Sequence, residues 1–255
     1  MSELTPLVQM VNICKNFNSI MSLKDVNFSV GQAEVVGLLG DNGAGKSTLI
    51  KVLTGIHFLD KGEIYFEGKA VHISSPLAAR NLGIETVYQD LALIPLMSIA
   101  RNFCLGREPL KGIGPFKSLD RNEMNRITRE CLGDIGIRIR SADEEVLVLS
   151  GGERQSIAIG RAVHYGVKLL IMDEPTSDLS INETNKVLDY MLKAKGKGLS
   201  VIFISHNIHH VYQVADRFTI LKHGAKMGDF NKGDCTANEI SDLVAGNIEP
   251  EDLKR

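Results

Sequence analysis

The stretch EVVGLLGDNGAGKSTLIKVLTG, Glu34 to Gly55, reads as a strand, a glycine-rich loop and a helix in immediate succession. Val35 to Leu39 is a short apolar run of the kind buried on both faces of a parallel sheet. GDNGAGKST then fits G-x-x-x-x-G-K-[ST], the phosphate-cradling loop. Small residues let successive backbone N–H groups turn toward an anion. The N-terminus of the following helix adds roughly 0.3–1 kcal/mol for each anionic contact. The candidate nucleotide-binding set is therefore Gly40, Asp41, Asn42, Gly43, Ala44, Gly45, Lys46, Ser47 and Thr48. The motif assigns Lys46 to the β- and γ-phosphates of ATP and the Ser47 hydroxyl to Mg²⁺. The helix is expected to close at Gly55, where glycine suits the terminal turn.

Outward from this unit, LVQMVNI, VNFSV and EIYF read as strands in a β-rich N-terminal region, and IETVYQ, Ile84 to Gln89, as a further core strand. Residues 90–164 change character, with helical patterns over Ser98–Leu105 and Arg121–Ile135 around the Gly/Pro-rich segment GREPLKGIGPFKS. Alternation then resumes with VKLLIM, a helix over Ile181–Ala194, LSVIFIS, a helix over Ile208–Ala215, and FTILKHG. Thr236 and Glu239 form a capping box at a last helix. The expected fold is α/β: a RecA-like P-loop NTPase core with a parallel sheet, an N-terminal antiparallel β subdomain and an inserted helical subdomain. One domain spans 1–255, with the core in 1–89 and 165–255 and the helical subdomain in 90–164.

Composition bounds the partners. The chain has 255 residues, 44% hydrophobic and 24% charged, which suits an ordinary globular protein with a sizeable core. A net charge of -2 supplies no overall positive field for nucleic acid or anionic lipid. Four cysteines with no CxxC pair argue against zinc or a disulfide framework and are expected to be buried small hydrophobes. The start MSELTPLVQM does not read as a secretory signal, and the longest apolar runs fall far below the roughly 20 residues that span a bilayer.

Two further motifs carry chemistry. KLLIMDEP, Lys168 to Pro175, is an apolar strand ending in two acids. In a P-loop protein the first, Asp173, serves the Mg²⁺ shell and the second, Glu174, orients or deprotonates the attacking water. LSGGERQ, Leu149 to Gln155, contains S-x-x-E, so Ser150 and Glu153 read as a capping box ahead of an amphipathic helix bearing Ile157, Ile159, Ala162 and Val163. The same hydroxyl and glycines also suit an anion site, but taken alone the motif favours the cap, because capping boxes are common.

Taken in chain order, the phosphate cradle, Gln89, LSGGERQ, MDEP and the ISH that ends at His206 resemble the ATP-binding subunit of ABC transporters, from Phe17 to about Gly228. That resemblance implies a head-to-tail pair in which Ser150, Gly151 and Gly152 of one copy close over the γ-phosphate held by the other. It implies that Gln89 reaches Mg²⁺ and the attacking water, that His206 contacts the γ-phosphate, and that Phe17 stacks on adenine, although a core phenylalanine remains an alternative. His209 and His210 read as exposed helix residues. The chain departs from the usual pattern at SDLS, Ser177 to Ser180, where many members read SALD.

The segments VYQDLALIPLMSIARN and SHNIHHVYQVADRF are similar to those of ATPases from importers of ribose, xylose and fructose. One copy of each motif implies a homodimer. The expectation is a peripheral ATPase on the cytoplasmic face of the membrane, with ATP and Mg²⁺ as cofactors. Its partners are a separate transmembrane permease, met through the region Asp90–Gly114, and indirectly a sugar-binding protein; nucleic acid is not among them. Transport of another solute, a soluble ABC protein without a membrane partner, and a P-loop kinase are the competing readings.

Overall fold

The computed structural model describes residues 5–87, 93–114, 116–134, 136–177 and 179–253. Along the chain run strands β1 (Val8–Phe17), β2 (Ile20–Val30) and β3 (Val35–Leu39), helix α1 (Lys46–Leu53), β4 (Lys61–Phe66), β5 (Lys69–Val71), α2 (Pro76–Leu82) and β6 (Ile84–Val87). There follow α3 (Ile99–Phe103), β7 (Leu110–Lys111), β8 (Ser118–Leu119), α4 (Arg121–Asp134), α5 (Gly151–His164), β9 (Leu169–Asp173) and α6 (Ile181–Gly196). The last elements are β10 (Ser200–Ile204), α7 (Ile208–Val214), β11 (Arg217–Lys222), β12 (Ala225–Asn231) and α8 (Ala237–Ala245). They divide into two compact units, Met1–Gln89 with Val167–Ser177 and Lys195–Arg255, and Asp90–Gly166 with Asp178–Ala194.

In the first unit a six-stranded sheet has the order β12-β11-β3-β10-β9-β6, and a four-stranded sheet the order β2-β1-β4-β5. Every pairing from β11 to β6 is parallel, and β12 closes the edge antiparallel to β11. The smaller sheet is antiparallel throughout. These are the P-loop core and the antiparallel subdomain that the residue pattern implies. β3 and β10 are buried at every position, as a strand covered on both faces must be. Leu7, Val26, Phe28 and Ile64 share one apolar core with Leu38, Leu49, Leu53, Ile171 and Ile202, so α1 lies within the hydrophobic body of this unit.

In the second unit α3, α4 and α5 pack on one another through buried Ile99, Phe103, Met124, Leu132, Ile157 and Ile159. Fully buried Asn102 takes the Ile94 N–H on Oδ1 and donates through Nδ2 to the carbonyls of Ile94, Met97 and Ser98, so one amide holds that loop.

Three features went unread in the sequence. GREPLKGIGPFKS with the following Leu119 carries the antiparallel pair β7 and β8, with Ile113 and Phe116 almost fully exposed. Ser75-Pro76 starts α2 with a serine cap and a proline in the first turn. β12 has no fully buried residue, as an edge strand tolerates, and so lacks an apolar signal. Of the cysteines, Cys14, Cys104 and Cys235 are buried as expected. Cys131 is not: it lies half-exposed, with Sγ 2.9 Å from Nδ1 of His164 at the end of α5.

Gly37 interrupts the apolar run of β3 because a Cβ there would come within 2.5 Å of Val211 Cγ1 and 3.0 Å of Phe218 Cδ1. Gly37→Ala is expected to destabilise the protein by about 1–3 kcal/mol through overpacking, read as a lowered urea midpoint with an unchanged slope.

Candidate active site

The parallel ladders bring three strand ends to one place. Ile204 at the end of β10 pairs with Leu38 of β3 and with Asp173 of β9. Just beyond those ends stand the glycine-rich loop, the Asp173–Glu174 pair and the Ser205–His206 pair. They enclose a cavity of about 330 Å³ lined by Ser22, residues 41–48, Asp173, Glu174, Ile204 and His206.

The loop is shaped by glycines with positive φ. Gly40 has φ 142°, and a Cβ there would stand 2.2 Å from the Leu221 carbonyl oxygen. Gly45, with φ 105°, is the N-cap of α1 and provides no side-chain cap, so the first-turn N–H groups are left for an external anion. Lys46 is only 7% exposed, and its ammonium donates to the carbonyls of Gly40 at 2.5 Å and Asp41 at 3.0 Å. Burial lowers its pKa, opposed by the attraction of Glu174, Asp173 and Asp41. Ser22 of β2 meets Thr48 hydroxyl to hydroxyl at 2.8 Å, a cavity residue that nothing in its sequence context announced.

Glu174 adopts φ 51°, a left-handed conformation costing of order 1–3 kcal/mol that persists only where the surroundings impose it. Its N–H donates to the Ile204 carbonyl at 2.9 Å, locking the residue to β10. Its Oε2 accepts from Ser205 Oγ at 3.1 Å and from the His206 N–H at 3.3 Å. His206 Nε2 stands 3.3 Å from Oε1, yet that buried oxygen has no hydrogen-bond partner. Burial raises the pKa of both carboxyls. For Glu174 the nearby Asp173 adds to the effect, while His206 and the Ser205 hydroxyl oppose it. The arrangement fits a nucleotide and a divalent cation. Uncapped amides and a buried ammonium suit phosphate, the Ser47 hydroxyl and Asp173 carboxylate are hard oxygen donors, and Glu174 lines the same space.

In the second unit, Ser150 is the N-cap of α5, with both halves of the capping box formed: the Glu153 N–H donates to Ser150 Oγ at 3.3 Å and the Ser150 N–H to Glu153 Oε2 at 2.9 Å. The Gly152 N–H instead points to Glu183 Oε1 at 3.5 Å. Glu183 Oε2 accepts the Ser180 N–H at 3.1 Å and hydroxyl at 2.8 Å, and hydrogen bonds from the Ser180 and Ser150 side chains lower its pKa to about 2. Ser150, Gly152, Glu183, Arg138 and Lys186 share the lining of a space of about 530 Å³. Glu183 was missed in the sequence, although Ser180-x-x-Glu183 is itself a capping pattern.

Other candidates fall elsewhere. Gln89 and Asp178 lie outside the described residues. Phe17 ends β1 and does not line the cavity; the core alternative is excluded by its 38% exposure, and its ring meets His57 edge-on at 5.0 Å. His209 is exposed, but His210 is not the free surface residue expected: its ring is half-buried and bonded through both nitrogens to Thr176 and Asn207.

Comparison with known proteins bears on the same residues. The family model described as ABC transporter matches residues 23–177. The xylose/arabinose import ATP-binding protein of Sulfolobus acidocaldarius is 42% identical over 241 residues, covering 94% of each chain. The fructose import ATP-binding protein of Rhizobium meliloti is 41% identical over 249 residues, covering 96% of each. Among solved structures, a nucleotide-free ATP-binding cassette from an ABC transporter superposes with a TM-score of 0.80 at 25% identity, covering 98% of each chain.

A carboxyl whose pKa is raised by folding holds its proton more tightly in the native state. Its contribution to stability is complete below the unfolded value near 4.3 and is lost as pH rises through the folded value. Glu174→Gln removes that loss, so the nucleotide-free variant is expected to melt at a higher temperature than the parent at pH 7. The gap should close below about pH 4, as followed by calorimetry across pH.

Proposed function

The chain belongs to the ABC transporter family and is an ATPase of it, and from that premise we propose that it is the motor subunit of a monosaccharide importer. Lys46, Asp173, Glu174 and His206 meet around one cavity that leaves a buried carboxylate oxygen unpartnered. This convergence is the observation that carries the proposal. The amides of residues 41–48 and Lys46 hold the triphosphate of ATP and neutralise its charge. Ser47 and Asp173, with Gln89, would hold Mg²⁺, which would offset the negative charge of the phosphates. Glu174 offers Oε1 to the attacking water, orients it and takes its proton, a contribution of ~10²–10⁴ in rate. His206 keeps the carboxylate aimed and supports the charge spreading over the γ-phosphate. Phe17 stacks on the adenine.

The second half of the site comes from another copy of the chain. The α5 N-terminus with Ser150, Gly151 and Gly152 covers the γ-phosphate bound by its partner, and the Glu183 carboxylate yields the Gly152 amide to that stronger anion. The nucleotide core takes 1–89 and 165–255 apart from 178–194, which groups with the helical, signature-bearing subdomain of 90–164 through which a transmembrane permease is driven. Among the described residues no helix is long and apolar enough to cross a membrane, which leaves the solute path to that permease. The sugar importer reading draws on relatives named for xylose/arabinose and fructose import. The chain is peripheral to the cytoplasmic face, and a sugar-binding protein delivers solute on the other side.

In the Glu174→Gln variant, turnover is expected to fall at least ~10²-fold while ATP binding persists, so ATP should convert the protein to a dimer in sedimentation; Gly151→Asp added to it should return the monomer. A monomer that hydrolyses ATP at full rate overturns the composite site. Deleting the gene is expected to abolish uptake of one monosaccharide, measured with labelled xylose, ribose and fructose. Intact uptake of all three with loss of another solute overturns the sugar assignment.

A further inference from the structure

His210 belongs to no motif, yet it joins the two loops that carry the hydrolytic residues. Thr176 lies two residues after Glu174, and Asn207 one residue after His206. His210 Nδ1 stands 3.1 Å from Thr176 Oγ1, and Nε2 stands 3.1 Å from Asn207 Nδ2. Thr176 is buried, so its hydroxyl depends on this contact rather than on solvent.

The donors and acceptors can be assigned by elimination. Asn207 Oδ1 caps α7 by accepting the His210 N–H at 3.3 Å, so the carboxamide presents its NH₂ to the ring. Nε2 must then accept, which places the proton on Nδ1 as a donor to Thr176 Oγ1. A single neutral tautomer satisfies the ring. An imidazolium would set N–H against NH₂, relieved only by turning the carboxamide and giving up the cap. The titratable neighbour acting on His210 is His209, whose charge disfavours the imidazolium as burial does.

The contact extends a chain of bonds that already runs between the loops. The Asn207 N–H donates to Ser205 Oγ at 3.2 Å, that hydroxyl donates to Glu174 Oε2, and the Ser177 N–H and hydroxyl both bond the Glu174 carbonyl. Glu174, strained at positive φ, is held from its carboxylate side by Ser205 and His206. From its C-terminal side it is held by a segment whose own anchor is Thr176.

We propose that His210 is a positioning residue for hydrolysis, an imidazole clamp that fixes the Glu174 loop against the His206 loop. This rests on the reading of Glu174 as the group that activates water. A base displaced by even a fraction of an ångström loses rate without losing nucleotide, because none of the clamp residues lines the cavity.

The test is steady-state ATP hydrolysis and fluorescent-ATP binding on the full-length chain. His210→Ala and Thr176→Val are each expected to lower kcat about tenfold while KM and nucleotide affinity stay within about twofold. The double variant should lose no more than His210→Ala alone, since each variant already breaks the Thr176–His210 contact. Thr176→Ser, which keeps the hydroxyl, should retain parental turnover. Parental kcat in His210→Ala, additive losses in the double variant, equal impairment by serine and valine, or a fall in affinity parallel to kcat each overturn the clamp. Glu174→Gln separates the two readings: if it is inactive while His210→Ala is fully active, only the clamp fails, and if it keeps parental turnover, the assignment of Glu174 fails.

Discussion

Backbone hydrogen bonds between β3, β10 and β9 decide where the side chains around the core unit's cavity stand. A parallel ladder runs all its strands in one direction, so the loops that leave their C-terminal ends gather at one edge. Ile204 is paired on both sides, and the Glu174 N–H reaches back to its carbonyl. Shift either ladder and the carboxylate leaves the glycine-rich loop. The apolar residues around β3 and β10 thus do more than stabilise: they hold the register on which the chemistry depends.

The two ends of this unit treat charge in opposite ways. Arg217, on β11, is bonded by Glu34, Asp229 and the Ser29 carbonyl, a set of charges with complementary partners that ties strand to loop. At the cavity, burial works against ionisation of Lys46, Asp173 and Glu174 alike, and one carboxylate oxygen goes unpartnered. Left-handed Glu174 adds backbone strain. Costs of this kind gather where a protein keeps polar groups ready for something it has yet to bind.

Helix α5 begins with amides that find different partners. Its serine cap satisfies the Glu153 amide, while the Gly152 amide meets a carboxylate from α6. A carboxylate at a helix N-terminus is favourable for the same reason that a phosphate is: both place negative charge against unpaired N–H groups. Glu183 thus answers an amide that the Ser150–Glu153 capping box leaves open.

The phosphate loop, the acidic strand end, the signature and the histidine after VIFIS were legible because each is a contiguous string whose chemistry follows from residue type and neighbours. The parallel sheet was legible from apolar runs alternating with helical periods. The β7–β8 pair, edge strand β12 and the Ser22–Thr48 contact were not, since short, exposed or remote pairings leave no period in the chain. Glu183 went unread and His210 was read as an exposed helix residue for the same reason: the partners that define them come from other segments. By itself the sequence determined the inventory of reactive groups, the order of elements and the family resemblance, all properties of local pattern. Only the tertiary structure decided which of these groups share a cavity, which carboxylate oxygen stays unpartnered and which histidine is held by both nitrogens, because burial and hydrogen bonding between distant segments exist only once the chain has packed.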